Sequence, residues 1–200
     1  MKPKTIFLTR NGLMEPLGQS QVLRYLIGLS KDFHPTIISF EKKNDIKNSS
    51  LQHHIQLECD ANNINWIAKK YTNFFGPISA LIDVIKMTVV CFIEAKKGAS
   101  LIHARSYIPA FVAMIVGRIL NIHYIFDMRA LWPEELITSG RIHRNSFSHK
   151  ILIALERLAI KNAFSVVTLT NASLDYIQHL YEPEIQNKNI AVIPTSPHPA

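Results

Sequence analysis

The chain has 200 residues, 48% of them hydrophobic and 18% charged, with a formal net charge of +7. That length holds one domain with a sizeable core, and the composition excludes a largely disordered polypeptide. Its two cysteines, Cys59 and Cys91, form no CxxC pair and join no Cys/His array. This excludes a disulfide scaffold and a structural zinc site, and suits a reducing, cytoplasmic compartment.

Strand and helix patterns alternate along the chain. Thr5 to Thr9 is a short apolar run, too short for a signal peptide, and reads as a first strand. A polar loop with Gly12, Pro16 and Gly18 follows. Gln19 to Lys31 has helical spacing, with Val22, Leu26 and Leu29 on one stripe. Pro35 to Phe40 reads as a strand, and Glu41 to Asn63 as a polar stretch with a helix from Leu51 to Ala61. Ile64 to Ala68 is a short third strand, and Pro77 to Lys97 a long helix closed by Gly98. Ser100 to Ala104 is a strand, and Pro109 opens a helix running to about Leu120. Ile122 to Phe126 is the next strand, and Pro133 to Asn145 a polar connection. Ser146 to Asn162 is an amphipathic helix with Ile151, Leu155 and Leu158 on one face. Phe164 to Leu169 is a strand, Thr170 or Asn171 caps a helix through Leu180, and Ile190 to Ile193 is a last strand.

This order predicts an α/β domain of three layers, a mostly parallel sheet with helices on both faces. It spans residues 1–194, and the Pro-rich end, 195–200, reads as a linker or a cut tail. The two longest apolar stretches do not read as membrane spans. Asp83, Lys86 and Glu94 break the first and Arg118 the second, short of about 20 uninterrupted apolar residues.

In such a sheet, ligands bind outside the carboxyl ends of the strands. Four strand ends carry candidate residues. In the loop from Arg10 to Gly18, the glycines either let the backbone approach a ligand or simply make turns; the helix start near Gln19 offers amides to an anion. In HARSY, strand alternation puts His103 and Arg105 on one side, with Ser106 and Tyr107 beyond the strand end. Arg105 suits a phosphate, whereas His103 alone reads more readily as a packed core histidine than as a site residue. In IFDMRALWPEE, Asp127 and Arg129 also face one way. Asp127 either forms an ion pair with Arg129 or Arg105, or accepts a hydrogen bond from a substrate hydroxyl. Trp132 either stacks on a sugar or plugs the loop, and Glu134 and Glu135 cap a short helix after Pro133. At the fourth end, Thr170 and Asn171 either touch a ligand or cap the next helix.

His53, His54, His143 and His149 lack metal-ligand spacing with partners, so neither a metal nor a cofactor is expected. No GxGxxG follows the first strand, which disfavours a dinucleotide oxidoreductase, and GxSxG, Walker A and HExxH are absent. The positive balance suits a partner bearing phosphates or an anionic membrane. No dense Lys/Arg run occurs, which argues against nucleic acid.

Taken together, TIFLTRNGLMEPLGQSQVLRYLIGLSK, ISFEK, SLIHARSYIPA, YIFDMRALWPEE and VVTLTNAS resemble the N-terminal half of a family 4 glycosyltransferase, a retaining enzyme of the GT-B type. The resemblance covers nearly the whole chain. It implies a Rossmann-like acceptor-binding domain facing a second domain that grips the nucleotide-sugar donor. Nothing in these residues resembles that second domain, so the chain by itself is expected to be inactive. Its alternatives are a non-catalytic binding module or one subunit of a split enzyme. By resemblance, Gly12 to Gln19 lie near the donor phosphates, and His103 and Arg105 line the acceptor pocket. Asp127 and Arg129 position the acceptor or the transferred sugar. Ser106, Trp132 and Glu134, read from their strand ends, are the further substrate-binding candidates. Ala130 departs from the glycine usual in this motif. The implied acceptors are glycans or lipid-linked sugars of surface polysaccharide synthesis. The helix Ser146 to Asn162 either makes peripheral contact at the inner face of the membrane or, as the simpler reading, packs on the sheet with a solvated outer side.

Overall fold

In the computed structural model, which describes residues 2–72 and 77–194, seven parallel strands form one sheet in the order β3-β2-β1-β4-β5-β6-β7. In chain order these are β1 (Lys4–Thr9), β2 (His34–Glu41), β3 (Asn65–Lys70), β4 (Ala99–Arg105), β5 (His123–Asp127), β6 (Ser165–Thr168) and β7 (Asn189–Val192). The helices are α1 (Arg24–Leu29), α2 (Ser49–Ala61), α3 (Pro77–Ala95), α4 (Tyr107–Leu120), α5 (Trp132–Thr138), α6 (Phe147–Asn162) and α7 (Asn171–Ile185). The three-layer arrangement is as expected, and the sheet is wholly parallel. The proposed linker 195–200 lies outside the described residues.

Each face of the sheet has its own core. Phe7, Ile37 and Trp66 pack against Val22, Leu23 and Leu26 of the first helical segment and Ile55 and Cys59 of α2. Ile6, Leu8, Ile102, Ala104, Tyr124 and Phe126 pack against α3, α4, α6 and α7. Alternation along the strands sorts side chains between the two. Burial pushes the thiols of Cys59 and Cys91 up to about 12, which makes both inert apolar fillers.

Several elements differ from their expected form. The first helix is π-helical over Gly18–Leu23 before α1 begins, and it ends at Leu29 rather than Lys31. Helix α4 starts at Tyr107, so Pro109 lies inside its first turn, where a proline costs no intrahelical hydrogen bond. The connection after Pro133 contains α5, with Pro133 in its first turn. Thr170 caps α7 by accepting from Ser173 N–H, and α7 continues past Leu180 through a kink at Tyr181.

Helix α6 has the expected periodicity with the opposite phase. His149, Glu156, Ala159 and Ile160 are buried, whereas Ile151, Leu155 and Leu158 are 43%, 37% and 43% exposed. Glu156 turns inward because two tyrosine hydroxyls meet its carboxyl group.

Candidate functional site

Strands β4 and β5 pair in register, with Arg105 opposite Asp127 and His103 opposite Ile125. Their last side chains therefore emerge together on the face covered by α1. Asp127 is 5% exposed and Arg105 8%. The Asp127 carboxylate lies 3.4 Å from His103 Nε2 and 3.5 Å from Arg129 Nη1, the long limit for such contacts. Arg105 turns instead to Gln21, donating from Nη2 to Oε1 at 2.6 Å. Arg129 Nη2 donates to that same oxygen at 3.2 Å. Thus Asp127 pairs with Arg129 rather than Arg105, and both guanidinium groups converge on one neutral carbonyl.

The aromatic surroundings fix this cluster. The His103 ring packs on Phe7 at 4.6 Å and meets Tyr25 edge-on at 5.9 Å. Burial lowers the pKa of Arg105, and neighbouring Arg129 lowers it further, with Asp127 opposing. Burial and then Asp127 push the Tyr25 hydroxyl up.

At the ends of β1, β4 and β5 a cleft of ≈ 340 Å³ opens, and His103, Arg105, Asp127 and Arg129 are not among its lining residues. Arg10, Asn11, Tyr71, Ser106, Trp132 and Glu135 line it. An indole surface beside a carboxylate, an amide and a hydroxyl matches the mixed surface of a sugar ring. Ser106 sits at φ 78°, ψ 176°, a region essentially reserved for glycine, at a cost of about 1–3 kcal/mol. Its N–H donates to the Asp127 carbonyl at 2.8 Å, which ties this strained turn to the end of β5.

The loop after β1 is organised from within. Glu41, fully buried at the end of β2, accepts from Leu13 and Met14 N–H at 2.8 and 3.1 Å and from Ser39 Oγ at 2.6 Å. Gly12 N–H donates to Glu15 Oε1 at 3.1 Å. The Gln19 amide donates from its side chain to Met14 O and from its backbone to Glu15 O, both at 3.1 Å. The amides expected to face an anion here are therefore engaged by the protein.

Of the other candidates, Trp132 packs on Tyr107 at a ring separation of 5.4 Å, and its backbone N–H donates to the Tyr107 hydroxyl at 3.1 Å. Glu134 is not brought to the cleft. It pairs with Arg144 at 2.5 Å and accepts from Tyr176 at 3.2 Å, and the Arg144 hydrogen bonds hold its carboxyl below the usual range. Glu135 takes the cleft position instead. Among the described residues no group of three or more His, Cys, Asp or Glu gathers to hold a metal ion.

Gln21 and Glu41 lie within the matching segments TIFLTRNGLMEPLGQSQVLRYLIGLSK and ISFEK, yet sequence reasoning gives neither a role. The available signal was a polar residue at the head of an apolar helix stripe, and a carboxylate directly ending an apolar strand.

A family model described as a glycosyl transferase 4-like domain matches residues 64–195. Sucrose-phosphate synthase from Thermosynechococcus elongatus superposes with a TM-score of 0.66 at 16% identity, over 96% of this chain and 48% of that one. Arabidopsis thaliana UGT89C1, complexed with UDP-L-rhamnose, gives 0.60 at 10% identity, over 97% and 49%. Anabaena Alr3699/HepE, in complex with UDP and glucose, gives 0.52 at 13%, over 94% and 43%. No curated protein matches the sequence. The fold is that of an N-terminal GT-B glycosyltransferase domain. Within that class, the chain belongs to the glycosyl transferase 4-like family. It spans about half the length of each of these three structures.

Proposed function

We propose that this domain is the acceptor-binding half of a retaining glycosyltransferase that moves a sugar from a nucleotide-sugar to a glycan or lipid-linked acceptor in surface polysaccharide synthesis. The observation that supports it best is the gathering of His103, Arg105, Asp127 and Arg129 at two adjacent strand ends, after which Ser106 and Trp132 line a cleft. Donor binding falls to a second domain, as in the family the chain belongs to. Asp127 and Arg129 orient the acceptor hydroxyl; the leaving phosphate of the donor takes its proton, so Asp127 positions the acceptor without acting as an obligatory base. Ser106 and Trp132 hold the acceptor ring. Gly12 and Gln19 shape the loop that faces the donor, and Glu134 supports α5 from behind.

Saturation-transfer NMR on the 200-residue chain tests this assignment. Oligosaccharide protons are expected to receive saturation from the protein, and Trp132→Ala should remove the signal. Equal transfer in wild type and variant would move the acceptor elsewhere.

A lipid-linked acceptor is the finer reading. It is supported by the outward stripe of α6, where Phe147 is 80% exposed beside Ile151, Leu155 and Leu158, with Lys150 and Lys161 also exposed. An apolar stripe edged by lysines suits the inner, anionic face of a membrane, and so a cytoplasmic enzyme docked there. No helix among the described residues is long and apolar enough to cross a membrane. The chain should therefore float with phosphatidylglycerol vesicles at low salt, and Phe147→Glu with Leu155→Glu should leave it in the soluble fraction. Flotation unchanged by the double substitution would rule out this face.

A further inference from the structure

We propose that Arg105 and Arg129 form a seat for an oxyanion carried by the acceptor, a phosphate or carboxylate group, whose place Gln21 Oε1 holds in the unliganded chain. The inference rests on the acceptor-side reading of this rim and adds the chemical class of the acceptor.

Three observations carry it. First, Nη2 of each arginine points at one oxygen, at 2.6 Å from Arg105 and 3.2 Å from Arg129. Two like charges sharing one neutral acceptor is a poor arrangement for the protein alone, because each guanidinium disfavours the other. A ligand oxyanion at that point would accept from both and cancel the repulsion, as charge-assisted hydrogen bonds do.

Second, Arg105 is only 8% exposed, and its Nη1 is buried with no hydrogen-bond partner. A buried guanidinium left partly unsatisfied is costly, and native proteins tolerate it chiefly where something else supplies the missing charge. Burial and Arg129 both depress the pKa of Arg105, which marks the same lack of compensation.

Third, the charges do not balance. Asp127 is the carboxylate that touches this cluster, and it sits at 3.5 Å from Arg129 and 3.4 Å from His103. Two fixed positive charges against one negative leave a surplus of one, in a rim of low water access. The Gln21 amide oxygen is neutral, so an anion in its place turns both arginine contacts into charge-assisted hydrogen bonds between opposite charges.

The experiment is a thermal-shift titration of the 200-residue chain at constant, low ionic strength. The probes are glucose 6-phosphate, glucuronate, glucose and UDP. At a hundredfold excess over Kd, a charged sugar should raise the melting temperature by roughly 5 °C, whereas glucose should not. A response to glucose 6-phosphate assigns a phosphate, and one to glucuronate a carboxylate. Gln21→Glu puts a carboxylate on the seat without changing its shape. That variant should melt above wild type without ligand and lose the response to the charged sugar. No shift with either charged sugar, or an undiminished shift in Gln21→Glu, would overturn the proposal. A shift with UDP alone would also overturn it, since the anion would then belong to the donor. Failure here leaves the saturation transfer from Trp132 to a neutral oligosaccharide unaffected, so the broader acceptor reading stands or falls separately.

Discussion

Gly18→Ala is expected to destabilise the chain by about 3 kcal/mol and to lower its melting temperature by roughly 6–12 °C. A methyl group at this position would lie 2.1 Å from the Gly12 carbonyl oxygen and 2.8 Å from Leu13 Cα. Both are backbone atoms, so no side chain can swing aside. The loop cannot retreat either, because Leu13 and Met14 N–H are bound to the buried Glu41 carboxylate. The substitution must break that anchor or push out the π-helical turn that positions Gln21. Gly28→Ala provides the control. Its methyl group would meet nothing within 4 Å, and alanine there favours the α1 helix by about 0.5–1 kcal/mol. Urea unfolding of the two variants checks the contrast, and equal stability would show that the loop is not pinned as described.

Glu156→Gln is expected to melt above wild type at pH 8 and to match it at pH 4. Glu156 is fully buried and accepts from Tyr181 at 2.8 Å, with Tyr107 also 2.8 Å away. Tyr107 has one proton but also faces the Ala130 carbonyl at 2.9 Å and receives the Trp132 N–H at 3.1 Å. The contacts close consistently when Tyr107 donates to Ala130 and Glu156, as a carboxylic acid, donates to Tyr107. Burial raises the Glu156 pKa in the same direction; Glu134 adds to this and the tyrosine hydrogen bonds oppose it. Tyr176 and, over the Tyr181 ring, Arg157 complete the polar surroundings.

The sign of the pH effect follows from the raised value. Below about 4.5 both the folded and unfolded chains hold the proton, and the contribution is complete. As pH rises from there through the folded value, only the unfolded chain loses it, so stability falls by about 1.4 kcal/mol per pH unit. Glutamine keeps the neutral hydrogen bonds at every pH and removes that slope. Glu156→Leu should instead lie roughly 2–5 kcal/mol below Glu156→Gln at every pH, because two tyrosine hydroxyls lose their partner. Urea unfolding between pH 4 and 8 separates these cases; parallel curves for wild type and Glu156→Gln would refute the neutral carboxyl. The loop bearing Trp132 hangs on this group through Tyr107, so a displaced cleft wall should accompany its ionisation.

Much of the fold was legible because short apolar runs ending in polar residues can hardly be anything but buried parallel strands. The pairing of His103 with Arg105, and of Asp127 with Arg129, followed from strand alternation alone. What escaped was polar and inward-facing. Glu41 looked like the start of a polar loop, and nothing in the sequence singled out Glu156. Periodicity counts apolar side chains, and it loses the phase of a helix such as α6 when a buried carboxyl is satisfied by tyrosines from α4 and α7. Gln21 escaped because its partners lie 84 and 108 residues away. Glu134 looked like a cleft residue from its neighbours in sequence, yet a short helix turned it toward Arg144 and brought Glu135 to the cleft.

The central claim is that the β4–β5 rim positions the acceptor. Its most direct test is sugar transfer by the protein in which this domain is joined to a donor-binding half, comparing wild type with Asp127→Ala and Arg129→Ala. Both variants should lose roughly a hundredfold in kcat/KM for the acceptor while the KM for the nucleotide-sugar stays unchanged. Wild-type transfer in either variant, or a loss confined to the nucleotide-sugar KM, would contradict it.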